Sequence, residues 1–426
     1  MAIGWPPIPP PAGGTALASD LVHVTLALPT ARDVWDAGRW DTATWDALDY
    51  DNFVDASCDA HGVAIDRGRT DPLGHVQPGR CKFTLDDPTG LYSPWNTVDA
   101  EGHDMLAPVF GPDIPVRVAT HVGPLFTGWV RTTSEVDDDE DAAVDVDCTD
   151  ALSFLGDANG LEQASQGGGE AAGARLARII MAAQVPVLVD RTLATGVTPL
   201  QATTLAKGAL EEAWLTADSD GGVFWATTAG VLRYVDANGL EAPEFTEPAA
   251  HFTDDTNEVP GATLCPTSFT VANTRDNVKN VVKVAYAGGT ATTVADPASV
   301  ARHGARTTAR LDLIHQSDYQ SARIATLMVT RLAGADLTLS PIEGVALDDG
   351  DWFDLAHTLD VGHRVEVTRT RWGRTLHALA TVDALAHAIT PDGWTMVIRC
   401  SPGTQVKGWT HWDTARWDLD YWDRRP

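Results

Sequence analysis

The chain has 426 residues, of which 44% are hydrophobic and 21% charged, with a formal net charge of −29. This is globular composition, long enough for two to four domains. The charge argues against generic double-stranded DNA binding, which needs basic patches to neutralise phosphates, and it keeps crowded copies soluble.

Residues 1–17 are expected to be an extended Pro/Gly-rich arm, and their start, MAIGWPPIPPPAGG, lacks the basic-then-apolar pattern of a secretory signal. Residues 21–28 (LVHVTLAL) alternate and predict a strand. An unusual repeat follows: Trp35-Asp36, Trp40-Asp41, Trp45-Asp46 and Tyr50-Asp51, one aromatic-aspartate pair every five residues. The same repeat returns at the other end as Trp412-Asp413, Trp417-Asp418 and Trp422-Asp423. A five-residue step rotates successive rings by roughly 140° on a helix and flips them between faces on a strand. The repeat therefore predicts short turns, each presenting one ring, with the carboxylate free to cap the turn. Tandem exposed tryptophan calls for a partner surface. Trp35, Trp40, Trp45, Tyr50, Trp412, Trp417 and Trp422 are accordingly the candidate interface residues. An intersubunit clasp is favoured over a sugar-stacking platform.

From 54 to about 155 the pattern is all-β. Short apolar stretches at 81–85 (CKFTL), 114–118 (IPVRV), 125–130 (LFTGWV) and 144–148 (VDVDC) are separated by turn-formers, which favours a barrel or sandwich. The acidic run 135–141 reads as a hairpin tip. Near Gly167-Gly-Gly169 the pattern changes. Residues 170–183 and 204–215 have helical spacing, and 222–226 with 231–235 read as a hairpin, together making an α+β module. Strands return at 281–286, a helix is predicted over 318–332, and strands follow at 365–368, 380–384 and 394–399. The expected division is an arm with the first repeat (1–53), a first β-barrel (54–160), an α+β module (161–250), a second β-barrel with a helix (251–403) and the C-terminal repeat (404–426). No run of about 18 apolar residues predicts a membrane span.

Catalytic and metal signatures are weak. Asp218-Ser-Asp-Gly-Gly222 and Asp236-Ala-Asn-Gly239 resemble fragments of calcium loops but lack the closing Glu, and tight turns beside strands explain them. The thirteen histidines form no HExxH. There is no GxSxG and no Walker loop. Gly167-Gly-Gly-Glu170 could bind an anion before a helix, but a flexible linker is the expected reading. The five cysteines form no CxxC, so buried free thiols are expected rather than a disulfide framework. No catalytic residue, cofactor or metal is assigned.

Several stretches resemble the baseplate hub, or tail-tip hub, proteins (minor tail proteins) of long-tailed actinobacterial phages and related injection systems. The first is 79–94 (GRCKFTLDDPTGLYSP), followed by 106–118 and Pro124-Leu-Phe-Thr-Gly-Trp129. The second is the module, with Ala213-Trp214, Gly221-Gly-Val-Phe-Trp225 and Leu232-Arg-Tyr234. The third is Asp296-Pro-Ala-Ser299 with His303-Gly-Ala-Arg306, where His303 stands at a position that is commonly Tyr. The shared order of these stretches, across residues 20–400, carries the resemblance. It implies a mainly β, non-enzymatic structural protein with two tube-type barrels flanking an α+β module. It implies a homotrimer that adapts a sixfold tail tube to a threefold tip in the virion, around a channel through which genome DNA passes without specific binding. Its implied partners are tail tube, distal tail and other tail-tip proteins. The alternatives are a hexameric distal tail ring protein, or an adhesin or cell-wall hydrolase that uses the Trp-Asp repeats on a host surface glycan.

Overall fold

The computed structural model describes residues 3–8, 21–28, 52–97, 110–138, 141–161, 163–254, 264–273, 276–334, 337–345, 350–372 and 374–402. The protein is mainly β, with 44% strand and 21% helix. The first β region contains β1 (His23–Leu28), β2 (Asn52–Asp55), β3 (Ala60–Gly68), β4 (Gln77–Asp86), β5 (Pro115–Ala119), β6 (Pro124–Asp138) and β7 (Asp141–Thr149). All pairs are antiparallel, in the order β3-β4-β7-β6-β5-β1-β2. Period-two alternation explains the pairing face. On β4, Cys81, Phe83 and Leu85 are buried while their neighbours Lys82 and Asp86 face out. The hairpin of β6 and β7 closes at Asp138 and Asp141, so the acidic run ends a two-stranded ribbon as expected.

The module follows: α1 (Leu152–Asp157), β8 (Gln163–Gln166), α2 (Ala172–Ala182), β9 (Arg191–Leu193), β10 (Thr203–Leu205), α3 (Ala209–Asp220), β11 (Val223–Ala226), β12 (Leu232–Val235) and α4 (Pro243–Thr246). The hairpin β11–β12 forms in the predicted register zone, and β9 joins it in parallel. Helix α2 sends Leu176, Ile179 and Ile180 inward at i, i+3 and i+4 spacing onto this small core. Helix α3 starts five residues later than the apolar spacing suggested, because Thr203–Leu205 pairs with β8 instead.

The chain then enters β13 (Pro248–Thr253) and β14 (Ser268–Asn273). Next come β15 (Val281–Tyr286), β16 (Thr292–Ala295), α5 (Pro297–His303), β17 (Thr307–Leu313) and α6 (Asp318–Leu332). Strands β15–β17 form a separate three-stranded sheet. Ile324, Ala325 and Val329 of α6 pack on its Val282, Val284 and Leu313. The sequence placed strand 281–286 in a second barrel; its partners are instead local. The remaining elements are β18 (Leu337–Val345), α7 (Asp351–Thr358), β19 (Arg364–Arg371), β20 (Arg374–Thr390) and β21 (Gly393–Pro402).

The two β regions are sewn together. Residues Ala384–Ile389 of β20 pair antiparallel with Val63–Gly68 of β3, which gives one path, β14-β18-β21-β20-β3-β4-β7-β6-β5-β1-β2, with β19 and β13 branching from β20. One core runs under both regions and joins Ile65, Phe83 and Phe126 to Val365, Trp394 and Ile398. The seam depends on Gly68, whose φ is +126° and whose added Cβ would lie 2.2 Å from the Asp383 carbonyl oxygen.

Candidate functional site

The α+β module sits against the seam through buried charge. Arg67 projects from β3 and is 4% exposed. Its guanidinium donates to the Ala226 carbonyl at 2.7 Å and to Asp360 Oδ1 at 3.2 Å. Asp360 Oδ2 accepts from Trp225 Nε1 at 3.2 Å, so the β3 strand, the module hairpin and the turn after α7 share one network. Nearby, Arg69 Nε donates to Asp383 at 2.7 Å across the seam. Burial pushes the Asp383 carboxyl up, and Arg69 works against that rise. Asp150 accepts from Gly79 N at 2.7 Å and Leu152 N at 2.9 Å. Burial pushes it up to about 7, against the Gly79 N–H bond and the Arg67 charge. Such groups are costly to bury and costlier to leave unpaired.

Beside this network lies a cleft of about 210 Å3 where the β3–β4 loop, α3, α6 and the end of β21 meet. Arg69, Arg310, Arg331 and Arg364 line it, as do the carboxylates of Asp218 and Glu241. Arg310 and His75 converge on Asp218, at 3.3 and 3.0 Å, and His75 stacks on Trp214 with ring centroids 4.7 Å apart. Apolar walls come from Val76, Phe245, Ile324 and Met328. Arg331 lines the cleft and has no hydrogen-bond or ion-pair partner among the described residues. Burial lowers its pKa first, then repulsion from Arg69 and Arg364, with Asp383 opposing. In a chain of net charge −29, this is a local basic surface with an apolar floor, suited to an anionic group attached to an apolar body. Sequence reading missed it because its arginines lie on β3–β4, β17, α6 and β19, far apart in the chain.

The sequence-selected residues fall elsewhere. Trp35, Trp40, Trp45, Tyr50, Trp412, Trp417 and Trp422 lie outside the described residues. Asp218 and Asp220 belong to the last turn of α3, with Gly221 as its left-handed cap, rather than to an inter-strand turn. Asp220 is buried, where its carboxylate accepts from Val197 N, Thr198 N and the Tyr234 hydroxyl. Asp236 caps a turn through Gly239 N at 2.8 Å, as expected. Gly167–Glu170 is a pinned corner and not a linker. Glu170 holds Arg175 at 2.5 Å and Arg178 at 2.9 Å, while Gly169 N donates to the Leu200 carbonyl at 2.8 Å. Cys81, Cys148 and Cys400 are buried free thiols, but Cys58 and Cys265 are exposed. Asp296 caps α5 through Ser299 N, and Arg306 N donates to Asn280 Oδ1, which fixes the bend after His303. No group of three or more His, Cys, Asp or Glu among the described residues is placed to hold a metal ion.

No family model matches the sequence, and no curated protein does. Solved structures do share its architecture. The tail protein from Neisseria meningitidis MC58 superposes with a TM-score of 0.57 at 13% identity, covering 89% of this chain and 96% of that one. The 43 kDa tail protein of prophage MuSo2 from Shewanella oneidensis gives 0.57 at 11% identity, covering 89% and 98%. This chain shares its fold with these two proteins. The uncovered remainder is smaller than either β region or the module, so the likeness includes all three.

Proposed function

We propose that this protein is a structural subunit of a phage-type tail, acting as the hub of the tail tip or baseplate. Three copies form a ring that joins a sixfold tail tube to a threefold tip and encloses the path of the genome. The observation that carries the reading is the fold likeness to tail proteins over 89% of the chain. The order of β region, module and β region supports it, because two tube-type units in each of three chains present six similar surfaces to a sixfold ring. The strongly negative charge suits a passage through which DNA slides without binding. The reading assigns no catalysis. Its partners are further copies of the chain, tail tube and distal tail proteins, and other tail-tip proteins.

Mass measurement on the purified chain tests this directly. Three chains per particle at high protein concentration, and capture of a tail-tube ring, are the expected results. Six chains per particle would favour a distal tail ring. A persistent monomer that binds glycan through Trp40 and Trp417 would favour an adhesin.

A further inference from the structure

Two of the four arginines in the cleft stand without a carboxylate. Arg69 is taken up by Asp383 at 2.7 Å, and Arg310 by Asp218 at 3.3 Å. Arg331 and Arg364 have no ion pair among the described residues, and Arg364 donates only a long 3.5 Å bond to the Thr246 carbonyl. Glu241, which also lines the cleft, has no ion pair among the described residues either. Two guanidiniums against one carboxylate leave a single unit of positive charge. Burial lowers the Arg331 pKa first, and repulsion from Arg69 and then Arg364 lowers it further against the pull of Asp383, so these groups share one electrostatic field. An anion entering here relieves that repulsion, and a free guanidinium offers a planar fork of N–H donors that matches a carboxylate.

Helix α6 builds the apolar floor beside these charges. Ile324, Met328 and Arg331 recur at i, i+4 and i+7, so two apolar side chains and a guanidinium lie along one stripe of the helix. Phe245 of α4 adds to the apolar wall. The cleft holds about 210 Å3, below the roughly 300–1,000 Å3 of sites for drug-sized ligands. That is room for one ring or short aliphatic chain with its charged group. The charge count selects the group. A carboxylate balances the leftover unit, whereas a phosphate monoester, with about −1.5 to −2 at neutral pH, would set excess negative charge against Glu241.

We propose that this cleft is a binding site for a small monoanionic carboxylate, with its acid group on Arg331 and Arg364 and its ring or aliphatic body against Ile324, Met328 and Phe245. A free carboxylic acid and an acidic side chain beside an aromatic one in a peptide both carry this chemistry. The site goes beyond the hub reading and is complete within one chain, so it does not depend on assembly into a ring.

Titration of the full chain with phenylpropionate, followed by calorimetry and by melting temperature, tests it. The acid is expected to saturate one site per chain and to raise the melting temperature. Phenylpropanol, the same body without the charge, is expected to bind about tenfold more weakly, equivalent to about 1.4 kcal/mol, and phenyl phosphate no more tightly than the acid. Arg331→Gln and Arg364→Gln each weaken the acid severalfold. Met328→Trp fills the floor with every arginine in place and abolishes binding, while Glu241→Gln removes the competing carboxylate and tightens it. The ligand-free melting temperature of each variant shows that it has folded. A capped Asp-Phe dipeptide separates the sources: tighter binding than the free acid names a protein segment, weaker binding names a small molecule, and either upholds the site. No saturable binding of millimolar acid, equal binding of the alcohol, tighter binding of the phosphate, or unchanged affinity in folded Arg331→Gln overturns the proposal.

Discussion

Arg175 shows what a single residue contributes to the module. Its side chain is fully buried on α2 and donates to Glu170, to Thr203 Oγ1 at 2.7 Å, and to the Gly167 and Gln201 carbonyls at 2.9 and 2.8 Å. Burial alone would push Glu170 up, but the hydrogen bonds from Arg178 and Arg175 outweigh it and hold the carboxyl below its ordinary range. Arg175→Ala leaves Glu170 with Arg178 alone and removes a buried donor from Thr203 and from the Gly167 and Gln201 carbonyls, so a loss of about 3 kcal/mol is expected in denaturant unfolding. His387 gives a pH signature at the same scale. It is buried on β20 and accepts from Trp394 Nε1 at 3.2 Å, and burial lowers its pKa to about 3. The folded state therefore favours the neutral ring. Its contribution is complete above the unfolded value near 6.5 and is lost as pH falls from there toward 3. His387→Gln keeps an acceptor for Trp394 without the titration, so its stability is expected to fall less steeply with acid over that window, as read from unfolding curves at several pH values.

At the scale of elements, the β3–β20 seam decides whether the chain is two units or one. Its six-pair ladder from Val63↔Ile389 to Gly68↔Ala384 ends where Gly68 takes a conformation that L side chains avoid. A Cβ there meets backbone that cannot swing aside. Gly68→Ala is therefore expected to destabilise the protein by on the order of 3 kcal/mol. It should also separate the two β regions into distinct unfolding transitions in calorimetry, where the wild type gives a single one. The module is held to this seam by Arg67, Asp360 and Trp225. Asp360→Ala leaves Arg67 buried without its carboxylate, and faster proteolysis between the module and the second β region is the expected readout.

For the whole molecule, one sheet runs through both β regions and the module packs against it. The hub reading adds a channel whose wall carries the acidic excess of the chain. Mobility-shift measurements with duplex DNA at physiological salt should then show no binding. Retention of DNA by the assembled ring, with a steep salt dependence, would show a basic wall instead.

Local patterning decided much of this protein from sequence. The alternation at 81–85 and 144–148 gave β4 and β7, and the helix predicted over 318–332 is α6 with its bounds, because strand and helix periodicity are set within a few residues. The resemblance also implied a mainly β fold with an α+β module, and the structure has that fold. Long-range pairing was not legible. Nothing in 63–68 names 384–389 as its partner, and nothing in 281–286 says that its sheet is local rather than part of the large one. The buried Arg67–Asp360 pair and the four arginines of the cleft are likewise products of chain return. Register and convergence between segments hundreds of residues apart depend on how whole faces bury together, and only the tertiary structure decides that.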